Sequence, residues 1–339
     1  MEYMKTILQK IKNKLIFKYN RFRNQMQRYD FQDVQNGWRK IGDAPVLGDW
    51  STGTLYDPWT ICHNKELFMF VSERKTGNIV LFKSKNGQEW KKKATIICPH
   101  MISLNILLVD RPCVIYKNNE WLMWFCAQMD DKSNIWFAKS NDGQHFDIIG
   151  HSPVLASMYE YEGVSVMNPS VIWDQEENIF KMWYAAGDTY EPDVLCYATS
   201  TDGIEWVKYT KCPVLKPYPL NRYEQYKVGG CCVLKKNKVY IMYYIGYQNL
   251  DVARICQAYS FNGIDWLRKE NNLILGPSPK NWDADSVYKP SVCELPNGEI
   301  LLWYNGRKGK KEYIGLAKKQ RFCLNIVSEN TNGYETSLS

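Results

Sequence analysis

A turn signature that recurs at a near-constant interval constrains this chain more than any other feature of its sequence. Four segments share the form Ser-x-(Asn/Asp)-Gly-x-x-aromatic: Ser84 to Trp90, Ser140 to Phe146, Ser200 to Trp206 and Ser260 to Trp266, at spacings of 56, 60 and 60 residues. A period of this length marks a repeat architecture, in which each unit buries its apolar face against its neighbours. Asn-Gly and Asp-Gly supply the positive φ values of a tight hairpin turn, and each follows a strand-like run such as Ile135-Trp136-Phe137-Ala138 or Leu195-Cys196-Tyr197-Ala198. A second landmark, an aromatic pair closing another apolar run, recurs at Trp124-Phe125, Trp183-Tyr184, Tyr243-Tyr244 and Trp303-Tyr304, with Met69-Phe70 in the first copy. A third is a proline entering a strand, at Asp57-Pro58, Arg111-Pro112, Asn168-Pro169 and Lys289-Pro290, with Gly229-Gly230 in the fourth copy. Proline is tolerated at the start of an edge strand, and the innermost strand of a propeller blade has its free edge on the central channel.

Five copies of about four strands predict an all-β, five-bladed β-propeller over residues 36–322. The fifth copy has only three strands at the C-terminus, Val287 to Lys318. Its missing strand is at the other end: Trp38 is followed by Pro45-Val46-Leu47 as Phe146 is by Pro153-Val154-Leu155 and Trp206 by Pro213-Val214-Leu215. The N-terminal strand is therefore expected to complete the last blade and close the ring, leaving no open edge.

Charge is unevenly spread. Residues 1–28 carry eight cations against Glu2 alone, a net +7, and the whole chain is also +7, so the remainder sums to zero. A propeller without surplus cations has no compositional support for nucleic-acid binding. Met4, Ile7, Leu8, Ile11 and Leu15 share one helical face, so residues 1–30 read as a basic amphipathic helix before the propeller, suited to an anionic membrane surface or to a partner. The polar stretch 328–339 reads as a tail. No apolar run is long enough to span a bilayer and no secretory signal is recognisable, so the expected location is cytoplasmic, with a peripheral place at the inner face of a membrane if the helix binds there. Eleven cysteines without a C-x-x-C read as buried free thiols, and four scattered histidines give no metal-ligand spacing, so no metal is expected. Neither a P-loop nor a dinucleotide fingerprint is present, and no cofactor is expected.

Five blades, the Asp-Pro of YDPWT in the first, the (Asn/Asp)-Gly-x-x-Trp turns and the phrase NPSVIWDQEENIFKMWYAAGD together resemble the five-bladed glycosidase superfamily, which includes glycoside hydrolase families 43 and 32 and the family 130 mannoside phosphorylases. The resemblance implies acids at the channel ends of innermost strands, in Asp-Pro or Glu-x-Pro settings. Asp57 matches that setting, and Asp110 lies two residues before a proline as the acid of Glu-x-Pro would. Asn168 and Lys289 stand at the third- and fifth-blade positions where acids would fall.

With the prolines starting the innermost strands, Asp57, Arg111, Asn168 and Lys289 ring the channel mouth, and Glu73-Arg74, Gln128, Asp188, Tyr247 and Arg307 end the second strands beside them. Cleaving a glycosidic bond takes one carboxylic acid to protonate the leaving oxygen and one carboxylate as nucleophile or base. Asp57 is the first candidate, with Glu73, Asp188 or Asp110 as its partner. Arg74, Arg111, Lys289 and Arg307, with Gln128 and Asn168, supply polar substrate contacts, and Trp59 and Tyr247 supply sugar-stacking surfaces near the mouth. Glu162 and Asp283 share an offset before proline in two blades and read as scaffold. Three functions remain open: a glycoside hydrolase or phosphorylase; a glycosyltransferase assembling cell-surface polysaccharide or glycolipid on the cytoplasmic face, whose diphosphate or phosphate the channel cations would suit; and a sugar-binding propeller without catalysis.

Overall fold

The structure, a computed structural model, describes residues 37–49, 51–187, 192–269 and 272–320. The helix expected over 1–30, the tail over 328–339 and Asp188 lie outside the described residues. Five four-stranded antiparallel sheets follow one another along the chain. Blade 1 is β2 (Leu55–His63), β3 (Glu66–Glu73), β4 (Asn78–Ser84) and β5 (Lys91–Ile97), from the channel outwards. Blade 2 is β6 (Leu108–Lys117), β7 (Glu120–Gln128), β8 (Ser133–Ser140) and β9 (Asp147–Ile148), and blade 3 is β10 (Ser165–Asp174), β11 (Ile179–Gly187), β12 (Val194–Ser200) and β13 (Val207–Lys208). Blade 4 is β14 (Lys227–Lys236), β15 (Val239–Tyr247), β16 (Ala253–Ser260) and β17 (Leu273–Leu275). Blade 5 takes β18 (Ser286–Glu294), β19 (Glu299–Lys308) and β20 (Lys311–Gln320) from the C-terminal end and β1 (Arg39–Lys40) from the other.

That last pairing closes the ring: Arg39 lies opposite Lys318 and Lys40 opposite Ala317, and a bridge joins Leu47 to Ile314. The same outer bridge recurs as Ile135 with Leu155 and Leu195 with Leu215, which explains the repeated Pro-Val-Leu. The turn signature is built differently from a two-residue hairpin. Ser84 Oγ accepts the Gly87 amide at 2.9 Å and Asn86 Oδ1 accepts the next two, so only the glycine, at φ +75°, is left-handed. The tight two-residue turns lie elsewhere, at Asn64-Lys65 and Asn118-Asn119, where both residues have positive φ.

Adjacent blades are joined through aromatic side chains. Trp124, Trp183 and Trp303 of the aromatic pairs each donate Nε1 to the turn-glycine carbonyl of the next blade, at Gly203, Gly263 and Gly87. A second repeated device ties the loop ahead of an innermost strand to its own blade in blades 3, 4 and 5. Glu162 accepts from Tyr184 and Lys208, Glu224 from Tyr244 and Arg268, and Asp283 from Tyr304 and Lys40. Glu162 and Asp283 thus do scaffold work, and Glu224 is a third copy.

The prolines are not at strand starts. Pro58, Pro112, Pro169 and Pro290 lie inside β2, β6, β10 and β18, at a β-bulge shared by all four strands. A bulge leaves its residue unpaired, so proline costs no ladder hydrogen bond there.

Two outcomes test this packing. Gly203→Ala places a Cβ 2.9 Å from Trp124 at a left-handed φ, whereas Gly42→Ala meets nothing within 4 Å at a similar φ. The first should cost roughly 2–4 kcal/mol and the second about 1 kcal/mol in urea unfolding. A chain beginning at residue 51 lacks β1 and the Leu47 bridge, and circular dichroism should find it unfolded or greatly destabilised at the temperature where the full chain is folded.

Candidate active site in the central channel

The bulges aim side chains at the axis. Asp57, Arg111, Asn168 and Lys289, each just before its proline, have φ of +54°, +54°, +54° and +50°. A residue before proline is normally extended, and a left-handed non-glycine residue is uncommon, so four copies in four blades are a built feature. Neighbouring blades hold the conformation: the Asp57 amide donates to Asn305 Oδ1 of blade 5 at 2.7 Å, and the Arg111 amide to Ser72 Oγ of blade 1 at 3.1 Å. In blade 4 the bulge falls at Gly229-Gly230, and a Cβ on Gly230 would approach Asn168 to 3.0 Å.

A cavity of about 630 Å³ opens above this ring. Its lining includes the charged residues Asp57, Asp110, Arg111, Arg74, Glu312 and Arg307 as well as Gln128, Asn168, Tyr247, Ile245 and Leu250. Arg111 binds two carboxylates at once, with Nε 3.7 Å from Asp57 and Nη1 3.3 Å from Asp110. Asp57, Asp110 and Arg111 are 6%, 2% and 8% exposed, so the trio is buried at the base of an open cavity. Burial raises the proton affinity of both carboxyls against the pull of Arg111, and Asp110, which also feels the charge of Asp57, is pushed up to about 6. Burial disfavours the charge on Arg111, but Asp110 and Asp57 outweigh it and hold the guanidinium protonated. The two carboxyls titrate as a pair.

Three expected site residues lie elsewhere. Trp59 is buried and donates Nε1 to the Val114 carbonyl of blade 2 at 2.8 Å, so it is an inter-blade contact and not a sugar platform. Glu73 does not line the cavity; it accepts from Lys92 at 2.7 Å and from Thr76. Burial opposes its charge, but those two donors prevail and hold its carboxyl below the usual range. Side chains alternate along a strand, so of Glu73-Arg74 only Arg74 turns to the channel. Lys289 is wholly buried and does not line the cavity.

Glu312, Tyr56 and Tyr288 line the cavity and were not singled out by sequence. Glu312 accepts from Arg74 at 3.1 Å. Its only sequence signal is position: it begins the third strand of blade 5 at the end where the second strands finish.

No protein-family profile matches the chain. Two uncharacterised proteins of Mycobacterium tuberculosis are similar in sequence, one of strain CDC 1551 / Oshkosh, 28% identical over 194 residues, and one of strain ATCC 25618 / H37Rv, 25% identical over 202 residues. Each match covers 55% of this chain and 61% of the relative, so the chain spans less than two thirds of the length of these relatives. Among solved structures, a glycoside hydrolase superimposes with a TM-score of 0.70 at 16% identity, covering 87% of this chain and 95% of its own. A thermostable family-43 glycoside hydrolase gives 0.64 at 18%, covering 81% and 90%. A structure from the GH130 family of mannoside phosphorylases, which contains glycoside hydrolases that target β-1,2 mannosidic linkages in Candida mannan, gives 0.66 at 12%, covering 86% and 95%. The five-bladed arrangement of this chain is the one those glycoside hydrolases share.

The raised Asp110 carboxyl has a signature in stability. Its folded value is about 6 against an ordinary 3.8, and a group raised by folding stabilises fully below its unfolded value and loses that contribution as pH rises through its folded value. The thermal midpoint of the native protein relative to Asp110→Asn should therefore fall between about pH 4 and pH 6 and level off above, as calorimetry across that range would show.

Proposed function

We propose that this chain is a carbohydrate-active enzyme that cleaves or transfers a glycosidic bond at the base of the channel cavity, with Asp57 and Asp110 as its acid and base. The observation that carries the reading is the pair itself: two buried carboxyls on adjacent blades share the Arg111 guanidinium, and burial raises the proton affinity of both. Two like charges so placed disfavour full ionisation, so the pair can hold one proton between them, which supplies a proton donor and an ionised carboxylate in one site. The protonated member donates to the leaving oxygen while the ionised member attacks the sugar or activates the incoming acceptor. Arg111, fixed by both, keeps them oriented. The fold shared with glycoside hydrolases is consistent with this chemistry without fixing the substrate.

One feature favours phosphate as acceptor, or transfer from a phosphate-bearing donor, over plain hydrolysis. Arg307 lines the cavity and donates Nη2 to the Asp251 carbonyl and Ser286 Oγ, with no carboxylate partner among the described residues. Its remaining donors suit a phosphate oxygen.

The test is turnover of a panel of aryl glycosides with water alone, with inorganic phosphate, and with sugar diphosphate donors plus sugar acceptors. Asp57→Asn and Asp110→Asn should each lower kcat by about 10² or more, whereas Glu73→Gln should stay near the native rate. Unchanged turnover in both aspartate variants would remove the pair from the chemistry. Thermal stabilisation by sugars with no turnover under any condition would instead support a binding propeller.

A further inference from the structure

The ring of bulge residues includes a cation that none of the contacts above employs. Lys289 is 0% exposed, and its Nζ has no hydrogen-bond partner among the described residues. It occupies blade 5's copy of the left-handed bulge whose blade 1 and blade 2 copies are Asp57 and Arg111. Blades 5 and 1 are neighbours through β18 and β2, and Asp57 feels the charges of both Lys289 and Arg111. An ammonium in a low-dielectric interior is unfavourable without compensation, and a methionine of similar length would avoid the penalty. The position therefore calls for an electrostatic explanation.

Counting charges supplies one. Asp57, Asp110, Arg111 and Lys289 are all at most 8% exposed, and they are two carboxyls and two cations. The other groups facing them are already paired or neutral. Arg74 is matched with Glu312 at 3.1 Å, and Arg307 reaches the Asp251 carbonyl and Ser286. Burial raises the Tyr56 and Tyr288 phenols and keeps them protonated. It does the same to the thiols of Cys113, Cys126, Cys231 and Cys232, which feel the Lys289 charge. The buried set balances when both carboxyls are ionised, and only while Lys289 is present.

We propose that Lys289 is a positioning residue that sets the proton count of the Asp57–Asp110 pair: with Lys289 and Arg111 both in place the pair gives up its last proton more readily than it would with Arg111 alone. The proposal rests on the reading of the pair as acid and base, and it adds what holds the pair in its working protonation state. Lys289 acts through the field along the channel, not by touching substrate.

The test needs no substrate. Infrared difference spectroscopy of the full chain follows the protonated-carboxyl band with pH, with Asp57→Asn and Asp110→Asn assigning it. Lys289→Met should move the midpoint for loss of that band upwards by about one pH unit or more, a ten-fold gain in proton affinity, and Lys289→Arg should return it towards the native value. An unmoved midpoint in folded Lys289→Met overturns the proposal. If Lys289→Met does not fold at neutral pH, the double variant Lys289→Met with Asp110→Asn, which restores one carboxyl to one cation, should fold where the single variant does not. A double variant no more stable than the single one overturns the proposal equally. Absence of turnover on every glycoside would count against the enzymatic reading and leave this titration standing.

Discussion

Adjacent blades share no sheet, so the inner circumference depends on side chains that reach from one innermost strand to the backbone of the next. Each of the five junctions has at least one such hydrogen bond. The Thr60 amide donates to Ser291 Oγ, Trp59 to the Val114 carbonyl, the Val171 amide to Cys113 Sγ, the Val233 amide to Ser170 Oγ and the Val292 amide to Cys232 Sγ. All involve the residues just after the bulge. The bulge and the junction are thus one device: kinking the strand turns one side chain into the channel and the next towards the neighbouring blade. Because these groups are buried, leaving any one unpaired would cost more than a typical hydrogen bond contributes.

The same device decides the electrostatics. A residue at a bulge leaves the alternation of its strand, so Asp57 and Arg111 approach across a blade boundary while their carbon frameworks stay in separate sheets. Asp110, one residue earlier on β6, reaches the same guanidinium. The carboxyl of the blade 3 loop clamp is treated oppositely. Burial also opposes the charge on Glu162, but Lys208, Tyr184 and two backbone amides prevail and hold it below its usual range. Glu162 stays ionised and structural, whereas Asp110 is left short of donors and proton-hungry.

Repetition made the scaffold readable. The interval near 60 residues, the aromatic pairs and the recurring Pro-Val-Leu carried blade number and closure, because each copy had to solve the same burial problem. The site was less legible for a geometric reason. With the proline read as a strand start, Trp59 fell near the mouth, but the bulge sits inside β2 and Trp59 turns towards blade 2. Glu73 and Arg74 are neighbours on opposite faces, a distinction that one residue of register decides. Glu312 carries no repeated signature, since the third strand of the last blade ends without the turn motif. Asp57, Asp110 and Arg111 were accessible because their proline marks the one irregularity that four blades have in common.

Closure across the two ends of the described chain also sets an order of events during synthesis. Arg39 and Lys318 are partners in one sheet, so β1 has nothing to pair with until β20 has left the ribosome. At typical elongation rates of about 5–20 residues per second, that wait is on the order of tens of seconds. Blades 1 to 4 are each contiguous in sequence and can form as they emerge, while β1 remains an unsatisfied edge beside the growing arc. Between the making of β1 and of β20 the propeller is therefore an incomplete ring with two unpaired edges. Whatever shields those edges in the cell, whether a chaperone or simply the speed of the final blade, acts on an intermediate whose shape follows from where the chain was cut to make a ring.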